Sequence, residues 1–102
     1  MLLFALVAMP ASAQNVPILT QHVTDQTGTL NANQIAELEA GLVALEQRKG
    51  SQLVVLIVPT TGNEALENYS LAVAEKNKLG RSKTDDGVLL LIAKNDRKAR
   101  IE

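Results

Sequence analysis

Two uninterrupted apolar hexads constrain this chain more than anything else in it. Leu53-Val54-Val55-Leu56-Ile57-Val58 and Val88-Leu89-Leu90-Leu91-Ile92-Ala93 contain no polar position. A strand with one wet face alternates apolar and polar residues, whereas a run without alternation suits a strand covered on both faces. Between the hexads a helical pattern runs over about residues 64–79, offers Leu66, Tyr69, Ala72 and Val73 to a core, and stops at Gly80. Strand, helix, strand with both strands apolar throughout is a βαβ unit, expected to be parallel and right-handed.

The flanks extend this unit. Upstream, Asn31 stands where a helix cap belongs and Gln34, three residues on, can complete a capping box. Ile35, Leu38, Leu42 and Leu45 then form one apolar stripe, and Gly50 supplies the left-handed residue that ends such a helix. Residues 23–28 read as a short extended piece running into a turn. Downstream, Asn95-Asp96 marks a tight turn into a last strand, residues 97–102. There Ala99 and Ile101 alternate with Lys98, Arg100 and Glu102, so the apolar pair is expected inside and the charges in water. The reading is an α/β domain with a mixed sheet.

The N-terminus carries a different signal. Residues 2–8 are wholly apolar, Met9-Pro10 follows, and Ala11-Ser12-Ala13 places small residues at −3 and −1 of a cleavage point. That is the layout of a secretory signal peptide, though no Lys or Arg precedes Leu2. Residues 1–13 are therefore assigned to export and the product to the periplasm or the extracellular space. The apolar run is about a third of the ~20 residues that span a bilayer. Residues 14–22, polar and containing Pro17, read as a flexible lead-in, which leaves residues 23–102 for one domain.

Composition removes several classes of function. The chain has no cysteine, which excludes disulfide staples, thiol catalysis and thiolate metal sites. Tyr69 is the only aromatic beyond Phe4, so there is nothing on which to stack nucleic-acid bases. His22 is the only histidine, which excludes a histidine-rich metal centre and disfavours a serine–histidine hydrolase. Charge is asymmetric: residues 76–102 hold eight basic and four acidic side chains, while residues 1–75 hold two basic and seven acidic ones. Such a split fits a surface that meets anions or lipid head groups, and fits equally a solvated helix end and outer strand.

Three stretches, in this order and spacing, resemble a known family. They are Val23-Thr24-Asp25-Gln26-Thr27-Gly28-Thr29-Leu30, then Gly50-Ser51-Gln52-Leu53-Val54-Val55, then Asp85-Asp86-Gly87-Val88-Leu89-Leu90 running on to the basic strand that ends at Glu102. Together they are similar to the TPM domain, also met in YgcG-like exported bacterial proteins, over residues 23–102. The resemblance implies a mixed sheet sandwiched between helices, incomplete here, with a glycine-containing segment and further helices to follow. It also implies tethering to a membrane by a later segment, and a membrane protein or membrane surface as partner. Roles attached to the family are scattered: phosphatase activity, divalent-cation binding, help in photosystem repair and modulation of a membrane receptor.

Against that background the strongest chemical candidate is Asp85-Asp86. Two adjacent carboxylates repel, and a hard cation such as Ca²⁺ or Mg²⁺ relieves that by taking oxygen ligands from both. Asp25, the carboxylate of the first family-like stretch, joins them if its segment pairs near that loop. Turn residues that are solvated, or paired with Arg81 and Lys83, remain the plain alternative. An EF-hand is excluded, because its ligand positions counted from Asp85 fall on apolar strand residues. A nucleotide-binding P-loop is excluded too, because Gly80-Arg81-Ser82-Lys83-Thr84 follows a helix and leads into a strand, the reverse of the required order. A metal-dependent phosphatase would use Arg81 and Lys83 to hold the phosphate beside the two aspartates, but no nucleophile motif accompanies them. Asn68-Tyr69-Ser70 matches a glycosylation sequon inside a helix and is read as chance. The expected function is an exported accessory domain that binds a divalent cation near a membrane, with a phosphatase or an ion-free interaction module as alternatives.

Overall fold

The structure is a computed structural model that describes residues 16–79 and 87–102. Six elements follow one another: β1 (Val23–Asp25), α1 (Ala32–Lys49), β2 (Gln52–Val58), α2 (Leu66–Lys76), β3 (Gly87–Ala93) and β4 (Lys98–Ile101). The strands form one sheet in the order β1-β2-β3-β4. The first three are parallel and β4 returns antiparallel to β3, so the mixed α/β sheet is present.

Local chemistry sets the helix ends. The Asn31 side chain accepts from the Gln34 amide at 2.8 Å and the Gln34 side chain accepts from the Asn31 amide at 2.9 Å, a complete capping box. Gly50 adopts φ 77° and donates its amide to the Glu46 carbonyl at 2.8 Å, a conformation that a Cβ would penalise. The second helix begins later than its sequence pattern suggests. The Glu64 amide closes a turn on the Thr61 carbonyl at 3.1 Å, and Thr61 Oγ1 donates to the Glu64 carbonyl at 3.0 Å. Helical geometry therefore starts only at Leu66, behind an Ala65 that offers no side-chain cap.

Alternation then sorts side chains between two faces of the sheet. Val54, Leu56 and Val58 of β2 line up with Leu89, Leu91 and Ala93 of β3, and all six are buried together with Val73 of α2. Leu66, Tyr69 and Leu79 pack against this cluster, as do Val16 and Leu19. The segment expected to be a flexible lead-in thus contributes apolar contacts from residue 16 onward. Asn77 holds it in place, accepting from the Leu19 amide at 2.7 Å and donating to the Pro17 carbonyl at 3.0 Å.

On the opposite face Val23 and Ile57 are buried, where α1 packs across β1 and β2. The chain steps the same way twice, from β1 to β2 to β3, with its helices on opposite faces.

This arrangement corrects the reading of β4. Ile101 is 70% exposed and Ala99 is exposed, while Arg100 and Glu102 are half-buried. The charged side of β4 turns toward α2: Ser70, fully buried, donates to Glu102 Oε1 at 2.9 Å, and Arg100 Nε donates to the same oxygen at 3.0 Å. Alternation was read correctly, but the covering helix lies on the other side. Val88, 38% exposed, and the half-buried Leu90 and Ile92 share the apolar side with Ile101, so β3 is not covered on both faces by the described residues. Ser70 also accounts for the sequon, since its hydroxyl is spent in the core.

Two outcomes follow. Leu56→Ala empties a fully buried position and should cost about 2–5 kcal/mol in urea unfolding. Ile101→Lys should change stability by less than about 0.5 kcal/mol while reducing any concentration-dependent association seen by sedimentation.

Candidate functional site

Of the three carboxylates expected to share an ion, Asp85 and Asp86 lie outside the described residues and Asp25 lies within them. Asp25 ends β1 and closes the loop that leads to α1. Its Oδ1 accepts from the Thr27 amide at 2.8 Å and from Thr27 Oγ1 at 2.6 Å, and its Oδ2 accepts from the Leu30 amide at 2.7 Å. Partial burial pushes the carboxyl pKa up, but the Thr27 hydroxyl and the amides of Leu30, Thr27 and Thr29 outweigh it and hold the group below its ordinary value. These bonds let the loop turn through Gly28, at φ 71°, and deliver the chain to the Asn31 cap.

Strand register measures how far Asp25 stands from the start of β3. Asp25 is level with Ile57, near the end of β2, whereas Gly87, the residue after Asp86, is level with Gln52 at its start. Five residues along a strand are roughly 17 Å, and two strand spacings add about 10 Å across the sheet. Asp25 and the start of β3 are therefore at opposite ends of the sheet. Among the described residues no group of three or more His, Asp or Glu is arranged to hold a metal ion.

The other carboxylates with defined partners also tie elements together. Asp96, in the β3–β4 turn, accepts from Thr60 Oγ1 at 2.9 Å on both oxygens and from the Thr61 amide at 3.2 Å, joining that turn to the β2–α2 loop. Glu102 is held below its ordinary pKa by Arg100 first and Ser70 second, against some burial. Glu39 receives the amides of His22 and Val23, each at 3.0 Å.

His22, read in the sequence as too few histidines for a metal centre, sits between two glutamates of α1. Its Nδ1 lies 2.8 Å from Glu39 Oε2 and its Nε2 lies 2.7 Å from Glu46 Oε1. With both ring nitrogens engaged by glutamates, it is not available as a base for a hydroxyl nucleophile in this conformation. Beside it is a small cavity of about 140 Å³, lined by Leu19, Gln52, Val54 and Leu79 among others. The sequence held one hint: Glu39 and Glu46 are seven apart, hence on one helix face. Nothing in the sequence said that His22 would meet that face. No described helix is long and apolar enough to cross a membrane.

Comparison with known proteins agrees with this architecture. The N-terminal domain of a protein from P. gingivalis, solved by solution NMR, superposes with a TM-score of 0.71 at 28% identity, over 81% of this chain and 53% of that one. The N-terminal domain of a Corynebacterium glutamicum protein superposes with a TM-score of 0.69 at 16% identity, over 98% of this chain and 60% of that one. This chain thus spans little more than half the length of either structure. No curated protein matches it. The family model described as the TPM domain matches residues 23–102, the whole of the sheet and both helices just described, and the chain belongs to that family.

Proposed function

We propose that the protein is an exported, non-catalytic accessory domain that takes a Ca²⁺ or Mg²⁺ ion on Asp85-Asp86 and works beside a membrane, with a membrane protein or the lipid surface as partner. One observation carries this reading: Asp25, Glu39, Asp96 and Glu102 are each engaged in holding two elements or a loop together. The adjacent aspartates before β3 remain as the acidic pair with a chemical reason to attract a hard cation. Asp25 supports the ion site only if the chain brings Asp85 and Asp86 some 15 Å or more back along the sheet. Export rests on the signal-peptide layout of residues 1–13, and a membrane partner on the basic excess of residues 76–102.

A metal-dependent phosphatase is the second reading, favoured by the phosphatase label of the matching family model. It would place an activated water on the ion and the phosphate against Arg81 and Lys83.

Calorimetric titration of the full-length mature protein with CaCl₂ and MgCl₂ tests the first reading. Asp85→Asn/Asp86→Asn should abolish binding. Asp25→Asn should leave it intact while lowering stability by about 1 kcal/mol, through a weakened charged hydrogen bond. A well-folded parent that binds neither cation overturns the ion and leaves an interaction module. In the same samples, p-nitrophenyl phosphate should not be hydrolysed. Cation-dependent turnover that disappears in Asp86→Asn would establish the phosphatase instead.

A further inference from the structure

The contact between β1 and α1 has a chemical peculiarity. A neutral imidazole carries one N–H and one lone pair, so it can donate to only one of two flanking carboxylates. Here both ring nitrogens lie within 2.8 Å of a glutamate oxygen, Nδ1 facing Glu39 and Nε2 facing Glu46. Both contacts are bonds only when the ring is an imidazolium. The cluster is half-shielded rather than solvated, with His22 20%, Glu39 24% and Glu46 41% exposed.

The two glutamates are not equivalent. Glu39 is anchored independently of the ring, by the backbone amides of His22 and Val23. Glu46 has the ring as its side-chain partner, and it is the more exposed of the two. Loss of one proton therefore has a preferred site. The Nδ1–H bond to the fixed Glu39 is kept, and the Nε2 lone pair is left facing a Glu46 carboxylate that is free to turn into water. Among the described residues that line the cavity beside the ring, His22 itself is the one titratable group: β2 offers Gln52 and Val54, and the end of α2 offers Asn77 and Leu79.

We propose that His22, Glu39 and Glu46 form a pH-operated latch, in which the imidazolium clamps the C-terminal half of α1 to the segment that enters β1 and deprotonation releases the Glu46 end alone. Burial pulls the ring's pKa down, but the bonds to Glu46 and Glu39 and their charges outweigh it and raise the pKa above 6.5. A group whose pKa rises on folding stabilises the fold fully below its unfolded value and loses that contribution as pH climbs through the folded value. The latch is thus closed in mild acid and opens toward alkaline pH. Residues 43–49 and 19–22 loosen from each other there, while Glu39 keeps the first half of α1 on β1. It is independent of any ion on Asp85-Asp86.

His22 is the only histidine, so its ring resonances identify themselves in an NMR titration of the full-length protein. The expected result is a midpoint above 6.5, an Nδ1–H tautomer at high pH from the ring ¹⁵N shifts, and a lower midpoint in Glu46→Gln. Amide exchange of residues 43–49, corrected for intrinsic chemistry, should accelerate across that midpoint in the parent and show no such step in His22→Gln. A midpoint at or below 6.5, an Nε2–H tautomer, or a Glu46→Gln titration identical to the parent's would overturn the latch. Should a variant fail to fold, midpoint and tautomer in the parent still decide.

Discussion

The parallel pairing of β2 with β3 is the constraint on which the rest of this structure depends. Seven residues of each strand lie in register, from Gln52 against Gly87 to Val58 against Ala93. That register puts Leu56, Leu89 and Leu91 side by side on one face, each fully buried, with Val73 of α2 closing over them. A parallel ladder cannot form through a tight turn, so α2 and its loops are obligatory. Once α2 is committed to that face, Ser70 is buried, and its hydroxyl has two acceptors in reach, the Glu67 carbonyl of its own helix and Glu102 at the end of β4. The antiparallel register with β3, Leu91 against Arg100 and Leu90 against Ile101, sets which side of β4 meets α2.

The acidic residues show a division of labour that bears on function. Asp25 shapes the loop into α1, Asp96 joins two loops at the far end of the sheet, Glu39 caps the outer edge of β1, and Glu102 answers Ser70 and Arg100. Carboxylates in such roles are already satisfied by amides and hydroxyls. A cation would have to displace those hydrogen bonds to reach them, which is why an ion site is better sought at an adjacent pair whose mutual repulsion is itself the driving force.

Polarity has also been placed where sequence patterns look for none. β1 has three residues, a short edge strand with little hydrophobic area of its own. It is held by a side-chain network instead: Glu39 takes two outward backbone amides, and His22 bridges Glu39 to Glu46. The apolar side of β3 and β4 is the converse, with Val88, Leu90, Ile92 and Ile101 left partly or largely exposed by the described residues. Such a face is where a further layer of protein would be most strongly held.

What the amino-acid order determined by itself is local and periodic. The Asn31–Gln34 box and the Gly50 stop follow from dihedral and hydrogen-bond chemistry within a few residues, and both are in place. The apolar hexads were legible as parallel strands because they are short, rich in branched side chains and separated by a helix-length segment, and the short motifs spread over residues 23–102 were enough to point to the family. Three things were decided only in three dimensions. Which side of β4 is wet depends on the face α2 chose, and alternation is symmetric with respect to faces. The role of His22 depends on a helix segment 17 and 24 residues away, a separation that no local pattern encodes. Residues 16–19 belong to a stretch that reads as a flexible lead-in, yet they are held to the end of α2 by one asparagine. In each case the deciding partner is distant along the chain and near only after the β2–β3 pairing has formed.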